Sequence, residues 1–450
     1  MQGVELNHQE QLQMIKLWEK KRRTTFRAFC LFSLVLGLEY GLSIPTLLNY
    51  IKDKVKAPNP QMWFGIIAST YPLASMIGCL TITKYADHTK NIRLILLATS
   101  LFASCGNIIY ATPKHQLIVM LGRALQGFAD SLISVLFGEI IRNYSREEQL
   151  QKLSTFMVFY YTAYIGSPLV ITICSGVDFH VFGMDVTVYN FPFLLVSGIW
   201  VLIFLTTFFF VTDLSKESEV HQLLWKNKKT LENNSLSDTG KVLDNTELRN
   251  NENPLFLVDL LKITEFNYSL LVSYLCGYFS MVFNAIYIPI ISNSIYHIQV
   301  RFVGLLYTLN ACVFGITMLI SNRFDHGGSE IYFIILGLCS ILIALQAISL
   351  SVVSYQFKIF GISMLVLFSI STGAGWSVDQ VFLAALLGKI IPLNTQSFAA
   401  GVRKTMVNIS YVVGGLFAPL VQSYISEHAI ILSVCIFSVI IILLCKRKQF

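Results

Sequence analysis

Residues 226–253 read KNKKTLENNSLSDTGKVLDNTELRNNEN. Asn, Lys, Glu and Ser dominate, and there is little to bury, so the segment reads as disordered. Working outward, the chain changes character at once. Six long apolar stretches precede the segment, at 25–49, 62–84, 92–111, 116–141, 153–177 and 191–212. Six follow, at 266–289, 301–322, 330–351, 357–388, 397–424 and 428–445. A helix needs about 20 mostly apolar residues to cross the hydrocarbon core of a bilayer. With no water there to satisfy backbone N–H and C=O groups, each span must be helical. The expected fold is therefore an all-α membrane protein with twelve transmembrane helices in two six-helix pseudo-repeats. The organisation follows: a tail over 1–24, one half over 25–212, a disordered linker over 213–265, a second half over 266–445 and a tail over 446–450.

Composition points the same way. The chain is 54% hydrophobic and 13% charged, with mean hydropathy +0.62. Soluble domains carry nearer a quarter of charged residues. The net charge of +7 is no nucleic-acid signal, because the basic residues line the membrane edges. Lys52, Lys54, Lys56, Lys114, Arg301 and Lys358 fall on one face, and Arg123, Arg403 and Lys404 fall within spans. The remaining 24 of 33 lie on the face that carries both termini. That asymmetry places the termini and the linker in the cytoplasm. Lys20, Lys21, Arg22 and Arg23 precede the first span, which is too long for a signal peptide and lacks a cleavage site.

The nine cysteines lie in spans or at their ends, and no pair has metal spacing. There is no HExxH, nucleophile elbow or phosphate-cradling glycine loop. No metal, cofactor or enzymatic activity is expected.

The halves repeat one another. Trp63–Ile67 opens the second span and Phe302–Leu306 the eighth, each running to an Asp, Asp87 or Asp325, in a short basic turn. Gly138-Glu139-Ile140-Ile141 matches Gly388-Lys389-Ile390-Ile391, and Ser167-Pro168-Leu169-Val170 matches Ala418-Pro419-Leu420-Val421. Parallel repeats of this kind place a substrate site at their interface, near the bilayer midplane.

Three motifs resemble those of the major facilitator superfamily. Arg123-Ala124-Leu125-Gln126-Gly127 looks like its R-x-x-Q-G motif. Asp87, Lys90 and Arg93 fit its loop between helices two and three, although Thr83 replaces the usual glycine. Gly166 and Pro168 resemble its fifth-helix Gly-Pro motif. The stretches Gly65–Leu80 and Gly122–Glu139 further resemble the lysosomal branch that includes the neuronal ceroid lipofuscinosis membrane protein. That resemblance implies an endosomal or lysosomal membrane, and anion conductance is among the activities attributed to that branch.

Charges within spans are expensive and mark candidate sites. Glu39, in mid-span, is either a structural hydrogen-bonding group or a protonatable, substrate-facing carboxylate. Arg123 and Asp130 are seven residues apart, so they share a helix face about 10 Å apart along the axis. Gln126 and Gly127 flank that face, which serves either a cavity or an ion-pair network. Glu39 and Arg123 pair if spans one and four pack side by side. Asp379 follows Gly373-Ala374-Gly375-Trp376, whose glycines allow close helix approach. Arg403 and Lys404 have stems long enough either to snorkel or to reach a cavity.

The sequence supports a gate of Asp87, Lys90, Arg93, Asp325 and Arg403, in which Asp87 faces the start of span eleven. It supports helix packing at Gly127, Gly166, Pro168, Gly373 and Gly375. In the linker, Glu219, Leu223 and Leu224 form an acidic dileucine pattern of the type adaptor proteins read. The partners expected are a small-molecule or ion substrate, the lipid bilayer and such adaptors, with no nucleic acid. Three functions remain open: a secondary transporter of a small polar or anionic solute, with or without proton coupling; a passive anion (chloride-like) channel; and a receptor or scaffold that no longer transports.

Overall fold

The computed structural model describes residues 8–112, 114–144, 146–181, 184–216, 256–297, 300–321, 330–418 and 421–446. The linker core, Glu219, Leu223 and Leu224 of the expected sorting pattern, Asp325 of the expected gate and residues 447–450 lie outside the described residues.

Every expected span falls on a helix. The first half is built of α1 (His8–Asn49), α2 (Pro60–Thr89), α3 (Ile92–Tyr110), α4 (Gln116–Asp130), α5 (Leu132–Asn143), α6 (Arg146–Ile173) and α7 (Phe191–Phe210). After a short α8 (Leu257–Lys262), the second half has α9 (Thr264–Phe279), α10 (Val300–Ser321), α11 (Glu330–Val353), α12 (Lys358–Ile390), α13 (Gln396–Phe417) and α14 (Ile425–Lys446). Nine helices are long and apolar enough to cross a membrane, among the described residues. Leu305–Ile320, within α10, is a shorter apolar helix, and α13 carries Arg403, Lys404 and Asn408 in its middle.

The structure adds detail at the span ends. Residues 8–24 form helix continuous with the first span, where a tail was expected. The reason is a docked face: Trp18 is buried, and the Arg22 guanidinium lies 5.0 Å from its ring and 4.6 Å from that of Tyr144. At the linker's far end, Leu260 of α8 packs with Phe266 and Phe398, so residues 256–265 are ordered. Span four is two helices, broken at Ser131. Span seven continues from α9 through π-helical turns at Ser280–Tyr287 and Ile291–Ile295, a form that appears often at functional sites. Between α6 and α7, β1 (Asp178–Val181) and β2 (Met184–Thr187) pair antiparallel.

Within the first half, α1 packs on α6, α2 on α4, and α3 on α4 and α7. Within the second, α11 packs on α12 and α14, and α10 on α12. The halves meet where α13 lies against α2 and α5, and where α6 meets α10 and α12. The repeat reaches into the turns. Gln149 donates to the carbonyls of Ile141 and Tyr144, eight and five residues earlier. Gln396 does the same for Gly388 and Ile391.

Candidate functional site

A cavity of about 110 Å³ lies between the halves. Its wall is aromatic: Tyr40 of α1, Tyr71 of α2, Tyr160, Tyr161 and Tyr164 of α6, Trp376 of α12 and Tyr411 of α13. The Tyr161 ring lies 3.8 Å from Phe314 and 5.3 Å from Trp376, centroid to centroid, so the halves touch through tilted and edge-on aromatic rings. Span seven contributes Ser280, Met281, Asn284 and Ala285 from its π-helical turn.

Among the described residues, three charges line this wall: Asp130, Arg403 and Lys404. Asp130 is 3% exposed and Arg403 7%. Lys404 Nζ lies 2.6 Å from Asp130 Oδ2, which also accepts from Ser75 Oγ at 3.0 Å. Asn408 donates to the same serine hydroxyl at 3.0 Å. Arg403 has no ion-pair partner among the described residues and lies 6.0 Å from the Phe137 ring. A buried, uncompensated guanidinium attracts an anion.

Arg123 does not line the cavity with Asp130, although the two share a helix face. It sits behind Tyr71, 4.4 Å from the ring centroid, and donates to Gln126 Oε1 at 2.8 Å. Gln126 donates to Asn107 Oδ1 at 3.0 Å, and Asn107 donates to Glu39 Oε1 at 3.1 Å. Glu39 Oε2 accepts from Trp200 Nε1 at 2.7 Å. Glu39 and Arg123 are thus joined through two amides instead of a direct ion pair. The physical reason is spacing: Asn107 of α3 stands between the helices that carry them.

On the face that carries the termini, Asp87 accepts from the backbone N–H groups of Ser397 at 3.1 Å and Phe398 at 2.7 Å. These are orphan donors at the N-terminus of α13, a natural anion site. Arg142 pairs with both Asp87 and Glu139, and donates to Ser397 Oγ at 3.1 Å. Arg403, expected within reach of Asp87, is instead at the cavity, because six residues along α13 carry it about 9 Å away. Arg142 supplies the cation. Arg93 fastens α3 to the end of α7 inside one half: its backbone N–H donates to Asp213 Oδ1 at 2.8 Å, and its guanidinium donates to the Phe208 carbonyl. Lys90 ends α2 at positive φ, 52°.

A Cβ on Gly127 would strike the Tyr71 backbone, one on Gly373 that of Asn310, and one on Gly375 that of Gly337. Gly166 differs: a Cβ there meets nothing within 4 Å, so it makes no close helix contact. The side chains of Pro168 and Asp379 lie outside the described residues.

The tyrosine cage, Asn107, Trp200, Arg142 and Glu139 were missed by the sequence reading. The one available signal was the run Tyr160-Tyr161 with Tyr164, since three tyrosines within five residues are unusual in a lipid-facing helix.

A twelve-span helical bundle with a charged cavity between its halves defines a membrane solute carrier. The sequence profile of the Major Facilitator Superfamily matches residues 29–345, and the chain belongs to that superfamily. Among solved structures, the fold is similar to that of the human organic anion transporter MFSD10 (TETRAN): TM-score 0.68, 15% identity, 94% of this chain and 98% of that one covered. It is also similar to the proton:xylose symporter XylE bound to 6-bromo-6-deoxy-D-glucose, with TM-score 0.71, 10% identity and 96% of each chain covered. No curated protein sequence matched.

Proposed function

We propose that this protein is a secondary transporter that carries a small anionic solute by alternating access, with proton movement at Glu39 as the coupled step. One observation carries the reading. Arg403 is a buried cation without a counter-charge among the described residues, on the wall of a cavity built from both halves. An anion bound there touches helices of both halves, so its binding can shift their relative position.

The coupling rests on the amide chain. Both Glu39 oxygens accept from neutral donors. A proton on either oxygen makes that oxygen a poorer acceptor and weakens the bond it receives. If Asn107 turns, its Oδ1 leaves Gln126, and Gln126 in turn holds Arg123 behind the cavity residue Tyr71. Proton uptake at Glu39 thereby reaches the cavity wall.

The reading includes cytoplasmic termini, supported by the lysine and arginine asymmetry. It includes an endosomal or lysosomal membrane, supported by the sequence resemblance and by the acidic dileucine pattern of Glu219, Leu223 and Leu224, which adaptor proteins would engage.

The test is uptake of radiolabelled organic anions into proteoliposomes, with and without an imposed proton gradient. Saturable uptake that the gradient enhances is expected. Non-saturable anion conductance would establish a passive channel instead, and an absence of flux for every anion would leave a non-transporting receptor.

A further inference from the structure

Three residues on the cavity wall each keep one buried polar atom without a hydrogen-bond partner: Asp130 Oδ1, Arg403 Nη1 and Trp376 Nε1. Buried polar groups in folded proteins are nearly always satisfied, and exceptions call for an explanation. Here all three belong to one cavity. They also differ in kind and in origin. Arg403 and Trp376, from the second half, offer donors. Asp130, from the first half, offers an acceptor, its other oxygen being held by Lys404 and Ser75.

We infer that the cavity takes a small monoanion that also bears a hydrogen-bond donor, its charge on Arg403 and Trp376 and its donor on Asp130. This inference rests on the transport reading above and narrows its substrate class.

The charge balance favours a monoanion over a zwitterion. Asp130 and Lys404 compensate one another, which leaves the net charge of one guanidinium on the described wall. A hydroxylated carboxylate neutralises that charge and gives Asp130 its donor. A zwitterion gives Asp130 a donor but leaves the wall cationic. A plain carboxylate neutralises the charge but leaves Asp130 Oδ1 unmet. The tyrosine rings provide faces for an apolar or aromatic body. Because the anion and the donor engage opposite halves, the same ligand would draw the halves together around itself.

The experiment uses the full chain in lipid nanodiscs, with ligand-induced thermal stabilisation as the binding readout and competition for uptake in proteoliposomes. The probes are lactate and 3-phenyllactate, each against its deoxy analogue (propionate, 3-phenylpropionate) and its amino analogue (alanine, phenylalanine). At least one hydroxy acid should bind roughly tenfold more tightly than its deoxy partner, since a site built around a hydroxyl rejects the analogue that lacks it. It should also bind more tightly than its amino partner. Trp376→Phe removes one donor and should weaken hydroxy and deoxy acids alike, leaving their ratio intact. Asp130→Ala with Lys404→Met removes the acceptor together with its ion-pair partner and should bring the ratio to about one. Equal binding of hydroxy and deoxy acids by the wild type overturns the inference and leaves anion transport standing. Preference for the amino acids overturns the monoanion assignment. Failure of every probe to bind or compete overturns the inference and, where organic anions also fail to move, the transport reading with it.

Discussion

Asp130 and Lys404 form an ion pair of 2.6 Å that joins the two halves at the cavity wall. Asp130 stands at the last position of α4, immediately before the break at Ser131, and Lys404 stands on α13. The pair therefore fixes α13 against α4 as long as the halves keep this arrangement. Removing one partner leaves the other buried and uncompensated, at a cost of about 3 kcal/mol or more. We expect Lys404→Gln and Asp130→Asn each to lower the thermal midpoint of the purified protein. The double variant should be less impaired than the sum of the two, because neither charge is left stranded. Additive effects would mean that the pair contributes no coupling.

Glu39→Gln tests the amide chain. Glutamine keeps one acceptor, but its NH₂ must face either Trp200 Nε1 or Asn107 Nδ2, both of which are donors. Asn107 cannot turn without releasing Gln126. The variant should lose gradient-driven accumulation while retaining part of its solute exchange, measured as counterflow without a proton gradient. Accumulation equal to wild type would make Glu39 a structural group, and Asp379 the next carboxylate to substitute.

Two glycines of the same motif set should behave oppositely. Gly127 abuts the Tyr71 backbone, so Gly127→Ala forces α2 and α4 apart, at about 1–3 kcal/mol. Gly166 has open space where a Cβ would go, and Gly166→Ala should be neutral or stabilising by up to about 1 kcal/mol. Thermal unfolding of the two variants separates them. A tolerated Gly127→Ala would contradict the close α2–α4 approach.

Much of the frame was legible because hydropathy records which segments leave water. It found all twelve helices, and the short motifs pointed to Asp87, Arg123 and Gln126. What it did not record is how each helix is turned. Tyr40, Tyr71 and Tyr411 count as ordinary apolar residues in a span, and only the packed helices show that they share a cavity. Partners were equally hidden. Asn107 and Trp200 carry no charge and stand in different spans, yet they hold Glu39. Arg142 reads as one more basic residue at a membrane edge until α2 brings Asp87 beside it. The spacing of Arg123 and Asp130 gives one helix face, but a face about 10 Å long can meet two different neighbours.

The last prediction concerns the contact between Asp87 and Phe398. Asp87 receives two backbone N–H groups at the start of α13 and the Arg142 guanidinium, so it ties α2 of one half to α13 of the other. If the termini are cytoplasmic, this contact closes the cytoplasmic side. Its worth at a helix N-terminus is modest, of order 1–2 kcal/mol in a partly buried setting. That is enough to change a two-state ratio by roughly tenfold. Asp87→Asn keeps one acceptor oxygen but loses the charge that pairs with Arg142. It should shift cysteine accessibility toward a state open on the face that carries the termini. Asp325, its counterpart in the repeat, is flanked only by Arg323, and no comparable basic run follows. Asp325→Asn should therefore have the smaller effect. The measurement is labelling of single cysteines placed near each mouth of the cavity, read from both membrane faces. Equal shifts in the two variants, or none in either, would reduce both turns to polar connectors and move the latch elsewhere along α13.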